Sequence, residues 1–169
     1  MFVLLVGPKG SGKSHIGCIL EQRLGVLFFH VEPLWMDYYA ECRAADSQPN
    51  ISDGIARVHP KIVDALQAHK HVCVETTGAS VEILDELLSL YPSDKTLVVR
   101  VSAPLALCLT RIAERDPTHQ IQMDMESIRK VYELSIAAPI YPALVFENRS
   151  LSVEEIVTQF QQILSLPTG

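Results

Sequence analysis

The sequence predicts a three-layer α/β/α protein, with a five-stranded parallel sheet covered by helices on both faces. Three observations point there. Five short apolar runs, at 2–6, 26–30, 71–75, 95–101 and 143–147, are separated by segments of helical periodicity, the alternation that parallel sheets require. A glycine-rich stretch sits at the first strand–helix junction. The chain has 169 residues, 48% hydrophobic and 20% charged, which suits one domain (1–169) with a proper core and excludes disordered and fibrous classes.

The runs are short, bounded by polar, Gly or Pro signals, and do not alternate, as expected of strands buried on both faces. After the first, Ile16, Ile19, Leu20 and Leu24 share a helix face, and Gly25 stops the helix. Segment 33–60 departs from the simple rhythm. It reads as a helix with Trp35, Tyr38 and Tyr39, the polar run 46–50, and a second helix through Ile62, Val63 and Leu66, with Arg57 and His59 between the two, where they could meet an anionic acceptor or face water. After the third run Ser80 precedes Val81, Leu84, Leu87, Leu88 and Tyr91. Segment 115–124 then interrupts two helical patterns with turn residues and reads as a flap. After the last run Ser152 and Glu155 form a capping box ahead of Ile156, Val157, Phe160 and Leu164, and 167–169 reads as a frayed end.

Fourteen Lys and Arg against 20 Asp and Glu leave a net charge of −6. That is the wrong sign for holding a nucleic-acid backbone, so nucleic acid is not an expected partner. Cys18, Cys42, Cys73 and Cys108 form no C-x-x-C pair, so neither zinc nor a disulfide framework is signalled and a cytoplasmic location fits. The apolar run at 2–6 has no basic n-region, and no run approaches a membrane span, so neither signal peptide nor span is expected.

Gly7-Pro8-Lys9-Gly10-Ser11-Gly12-Lys13-Ser14 matches G-x-x-x-x-G-K-[ST] between strand and helix. A chance match in this length falls below about 1% on average composition. Gly7, Gly10 and Gly12 let the backbone turn its N–H groups toward phosphate oxygens, and the following helix adds its positive dipole end. Lys13 is placed to reach the β- and γ-phosphates and Ser14 to ligate Mg²⁺. The nucleotide-binding set runs from Gly7 to His15.

No Asn-Lys-x-Asp follows the later strands, which argues against a GTP switch, and large motors or AAA-type ATPases need more chain. With Arg111-x-x-x-Arg115 ahead of the flap, these residues resemble the small P-loop kinases: shikimate, gluconate and nucleoside monophosphate kinases. The resemblance implies a P-loop NTPase sheet ordered 2-3-1-4-5, a lid at about 115–126 closing over ATP, and an acceptor-binding insertion at about 33–60. It also implies that Arg111 lies beside adenine and phosphates, that Arg115 reaches the transferring group, that Glu75 helps hold Mg²⁺, and that the loop of Asn148 passes the adenine.

Carboxylates at C-terminal strand ends suit metal binding or deprotonation of an acceptor. Glu32 and Glu75 occupy such positions, each with helix capping as its alternative. Asp37, Arg57, Gly78 and His119 are weaker acceptor-binding candidates. Trp35, Tyr38 and Tyr39 are expected in the core, with a pocket wall as the alternative. The chain departs from its resembled family after strands two and three. His30-Val31-Glu32 stands where shikimate kinases carry Asp-x-Asp, and Thr76-Thr77-Gly78 where they carry three glycines. The expectation is therefore an ATP- and Mg²⁺-dependent phosphotransferase, monomer or homodimer. A nucleoside or nucleotide acceptor would call for an aromatic pocket from 35–39. A hydroxylated metabolite would call for polar contacts from Glu32, Asp37 and Arg57. The alternatives are an ATP-binding sensor without transfer and, disfavoured by charge, a polynucleotide kinase.

Overall fold

The first strand, β1 (Phe2–Val6), is completely buried, and its side chains divide between two cores. Val3 and Leu5 join one apolar cluster, while Phe2, Leu4 and Val6 join another on the opposite face, as the two-residue period of a strand dictates. The computed structural model describes residues 1–164; the end at 167–169 lies outside the described residues. The other strands are β2 (Leu27–Phe29), β3 (Val72–Thr76), β4 (Thr96–Ser102) and β5 (Leu144–Glu147). All pairings are parallel, in the order β2-β3-β1-β4-β5.

Helix α1 (Lys13–Leu24) and helix α7 (Val153–Leu164) cover one face. Phe146 of β5 and Phe160 of α7 stack there at 5.7 Å. Gly25, at φ 67°, ends α1 with its N–H on the Glu21 carbonyl. Ser152 and Glu155 form the expected capping box on α7. The opposite face is covered by α3 (Ile51–Ala68) and α4 (Val81–Ser89), with Ala138 and Ile140 from the chain after α6 (Met125–Ile136). Helix α2 (Glu32–Ala44) packs on α3, and α5 (Leu105–Ala113) follows β4. Ser80 caps α4, where Leu84 and Leu87 are buried but Val81 is exposed.

Two details correct the sequence reading. Beyond the central strands, burial is not uniform. In β4, Leu97, Val99 and Val101 are buried while Thr96, Val98, Arg100 and Ser102 are half-buried. The less covered face carries Arg100, whose guanidinium donates to the carbonyls of Ser135, Ile136 and Ala138 and so ties β4 to the end of α6. Second, Arg57 and His59 lie within α3 and not between helices. Asn50 starts that helix by accepting from the Asp53 N–H, and Tyr38 of α2 bonds both the N–H and C=O of Asn50. Pro60 inside the helix costs about 3 kcal/mol. Burial of Val58, Ile62, Ala65 and Leu66, at roughly 1.5–3 kcal/mol for a large apolar side chain, outweighs it.

Gly17 marks where α1 approaches β2. A Cβ there would lie 2.5–2.7 Å from the Phe28 ring, which is 2% exposed. Gly17→Ala should therefore destabilise the fold by roughly 1–3 kcal/mol through overpacking, against the gain of about 1 kcal/mol that the change brings in an open helix. Urea unfolding measures this, and a stabilised variant would contradict the packing.

Candidate active site

Parallel register gathers the chemistry on one edge. Val6 lies opposite Thr76, and Phe29 pairs with Val74, so the segment after β1, Glu75 in β3 and Glu32 after β2 all meet at the C-terminal edge of the sheet. The Gly7 N–H bonds the Thr76 carbonyl at 3.2 Å. Gly10 and Gly12 have φ of 81° and 96°, a left-handed path that glycine takes at little cost. Gly12 caps α1, whose first turn has neither a side-chain cap nor an acidic residue.

The outer side of this loop is braced. Arg111 on α5 donates to the carbonyls of Gly10 and Ser11, each at 3.4 Å, and to that of Asn148 at 3.2 Å. Asn148, 7% exposed, donates to the Ser11 carbonyl at 2.9 Å. Both candidates thus hold the loop's shape from outside the cavity that the inner side lines. His15 is exposed on α1.

On the inner side the Ser14 hydroxyl is within hydrogen-bond distance of both Glu75 oxygens, at 2.9 and 3.0 Å, and Arg115 Nη2 reaches Ser14 Oγ at 3.3 Å. Glu75 is therefore a partner of the loop, not of α4, which Ser80 caps. Lys13 is 7% exposed and folds its ammonium onto the Pro8 carbonyl at 3.0 Å. Burial holds its pKa below the ordinary lysine value, with Glu75 opposing the shift. The cation is thus poorly solvated, which favours a polyanion as its partner. The set fits a magnesium nucleotide. Mg²⁺ takes hard oxygen donors, few from protein and the rest from phosphate and water, and Ser14 Oγ with the Glu75 carboxylate would supply the protein share.

Glu32 does something the sequence did not foreshadow. Its Oε1 accepts from Lys9 Nζ at 3.3 Å and from the Ile121 N–H at 3.1 Å, while Lys9 Nζ also donates to the Ile121 carbonyl at 2.8 Å. One flap residue is thus clasped through both backbone groups by the phosphate loop and the start of α2. The flap itself is irregular apart from a 3-10 turn at Pro117–His119. Burial pulls the Lys9 pKa down, and Glu32 opposes it.

These groups open into a cavity of about 500 Å³. Trp35 and Tyr39 line it, whereas Tyr38 is 4% exposed and packed, so the aromatic trio divides between wall and core. Gly54 admits the Trp35 ring against α3, since a Cβ there would overlap it. The weaker acceptor candidates lie off the cavity wall. Asp37 is exposed on α2. Arg57 pairs with Glu41 at 2.5 Å and lies 5.0 Å above the Tyr38 ring. Gly78 is buried where a Cβ would press on Val6. The His119 side chain is 82% exposed and paired with Asp116. Sequence reasoning placed His59 beside Arg57 as a contact for an anionic acceptor or a water-facing residue, and it missed Glu86, with which His59 pairs at 3.3 Å on the cavity wall. The helical spacing of Val58, Ile62, Leu84 and Leu87 was the available signal that α3 and α4 face one another.

Glu32→Ala should free the Ile121 N–H. Loss of a charge-assisted hydrogen bond, about 1.5–3 kcal/mol, implies amide exchange at Ile121 faster by at least about tenfold. An unchanged rate would mean that the clasp does not hold the flap.

Several solved structures share the fold across nearly their whole length. Shikimate kinase from Aquifex aeolicus superposes with a TM-score of 0.61 at 17% identity, covering 98% of this chain and 96% of that one. A gluconokinase from Sinorhizobium meliloti gives 0.62 at 17%, covering 96% and 90%. The APS kinase of Mycobacterium tuberculosis, in complex with AMPPNP and APS, gives 0.60 at 15%, covering 98% and 97%. No curated protein sequence matches. The family model of the AAA domain matches residues 2–133, from β1 into α6. This corrects the length argument against AAA-type ATPases, which bears on large machines and not on this family. With its phosphate loop, Glu75 and Arg115 all inside the matched span, the chain belongs to the AAA domain family.

Proposed function

We propose that this protein is an ATP- and Mg²⁺-dependent phosphotransferase acting on the hydroxyl of a small molecule. The observation that carries the reading is Ser14 Oγ within reach of both the Glu75 carboxylate and the Arg115 guanidinium, in one cavity with Lys13 and an apolar acceptor wall. Phosphoryl transfer needs charge neutralisation and alignment more than covalent chemistry. Lys13 and Arg115 meet the β- and γ-phosphate charge, the latter from the flap. Ser14 and Glu75 would hold Mg²⁺, which would neutralise phosphate oxygens. The acceptor oxygen bonds to the γ-phosphorus as the bond to the β-phosphate oxygen breaks. ADP leaves with that electron pair, and the hydroxyl proton passes to a cavity carboxylate, Glu32 or Glu75. The flap, held by Glu32 and Lys9 at Ile121, serves as the lid. Four free thiols suit a reducing cytoplasm, and among the described residues no helix is long and apolar enough to cross a membrane.

The sensor alternative called for Glu32 and Glu75 to be helix caps turned from the phosphates, and their bonds to Lys9 and Ser14 weigh against it. A polynucleotide kinase called for a groove rich in Lys and Arg, which the acceptor wall lacks among its described residues.

ATP-to-ADP turnover with Mg²⁺ over a panel of nucleosides, nucleotides, sugars and hydroxy acids tests the reading, with Lys13→Met as the control. Stimulation by an acceptor above that control is expected. Retained ATP binding without any stimulation would give the sensor reading precedence. Arg115→Ala should lower kcat by roughly 10²–10³-fold, the scale of one preorganised charge donor, with a smaller effect on ATP affinity. An equal kcat would remove Arg115 from the transfer step.

A further inference from the structure

Charge is segregated along the cavity. Every lysine and arginine lining it stands at the phosphate end: Lys13 on the Pro8 carbonyl, Lys9 on Glu32 and Ile121, Arg115 on Ser14. The other end is walled by Trp35, Tyr39, Val58, Ile62, Leu87 and Leu90. Its polar pair is His59 with Glu86, at 3.3 Å. Whichever way that histidine is protonated, the pair carries no net positive charge. Arg57, two residues before His59 on α3 and so on the opposite side of the helix, is turned outward onto Glu41 and Tyr38. On the α4 side, Glu82 and Asp85 share a shallow depression with Glu86 and Ile55, so the neighbouring surface is acidic.

The aromatic wall is preformed. The Trp35 ring lies 5.9 Å from that of Tyr39 and 6.2 Å from that of Tyr38, and it fits over Gly54, where any side chain would displace it. A rigid ring platform of this kind binds ring-sized apolar bodies with little loss of freedom. A carboxylate, phosphate or sulfate brought to this end would shed its hydration with no lysine or arginine to receive it and would compete with Glu86 for His59.

We propose, on the phosphotransfer reading above, that the acceptor is a non-anionic alcohol with a ring-sized apolar body. Its hydroxyl lies at the phosphate end, its ring against Trp35 and Tyr39, and any polar or cationic substituent toward His59 and Glu86. Sugar acids, nucleotides and other anionic acceptors are excluded by the same wall.

Trp35 is the chain's one tryptophan, so its fluorescence reads acceptor binding without turnover. Three matched probes suffice: benzyl alcohols bearing a para-hydroxymethyl, para-aminomethyl or para-carboxylate group. Each is titrated into the full chain saturated with a non-hydrolysable ATP analogue and Mg²⁺. The hydroxymethyl and aminomethyl compounds should bind at least about tenfold more tightly than the carboxylate, which forfeits its hydration unpaired. Equal or tighter binding of the carboxylate, or no response to any probe, would overturn the proposal. Glu86→Lys, at a half-exposed position, should narrow or invert the order; an unchanged order would also overturn it. A parallel assay for transfer from ATP to the hydroxymethyl compound separates the two readings. Selective binding without any transfer to it or to the wider panel would count against phosphotransfer and leave the pocket chemistry standing.

Discussion

The hydrogen bonding of Ser14 to Glu75 rests on a single constraint, the parallel register of β1 with β3. Because Val6 lies opposite Thr76, the loop leaving β1 and the carboxylate near the end of β3 emerge side by side, and α1 then carries Ser14 to within 3.0 Å of both Glu75 oxygens. A slip of one residue would turn Glu75 to the other face of the sheet and break the set. What prevents the slip is the division of β1 between two cores, with Val3 and Leu5 on one side and Phe2, Leu4 and Val6 on the other. The hydrophobic core and the polar site are thus two consequences of one pairing.

Around that pair the protein spends its basic residues in two ways. Arg111 and Asn148 satisfy loop carbonyls from behind, which keeps a left-handed backbone path in place without occupying the side that phosphate would meet. Lys9, Lys13 and Arg115 line the inner side against Glu32 and Glu75, a local excess of one positive charge in a chain of net charge −6. Lys13 is the costly member, since burial opposes its charge more than Glu75 supports it. A site that keeps a partly desolvated ammonium gives up some stability so that the interaction with phosphate is made in a low-dielectric setting, where it is stronger.

The strands, the phosphate loop, and the end signals at Gly25, Ser80 and Ser152 were legible because each is a local matter of periodicity, φ preference or capping. Glu75 was legible from its position at a strand end. The remainder depended on contacts between residues distant in sequence. The clasp joins positions 9, 32 and 121, and two of its three bonds use the Ile121 backbone, which leaves no residue-type signal. Gly17 and Gly54 lie inside helices α1 and α3, and only the neighbouring Phe28 and Trp35 rings give them a purpose. Pro60 suggested a boundary, yet burial on α3 overrode it. Asp37 and Arg57 had suitable chemistry but sit on helix faces turned from the cavity, a rotation that residue type does not encode.

The two ends of the cavity answer to different parts of the fold. The phosphate end is built on strand ends and the loop, where a shift of register or backbone path would break several hydrogen bonds together. The acceptor end is built from the facing sides of α2, α3 and α4, where side chains meet across helix packing and an apolar residue exchanged for another of similar volume leaves the backbone in place. Substitutions at Trp35, Ile62 or Leu87 can therefore alter what is bound without disturbing Ser14 and Glu75, whereas changes at Gly10 or Gly12 cannot be confined in that way. A small chain built so can keep its phosphate end while the acceptor wall changes, and the fold itself is shared with a shikimate kinase, a gluconokinase and an APS kinase that are only 15–17% identical to this chain.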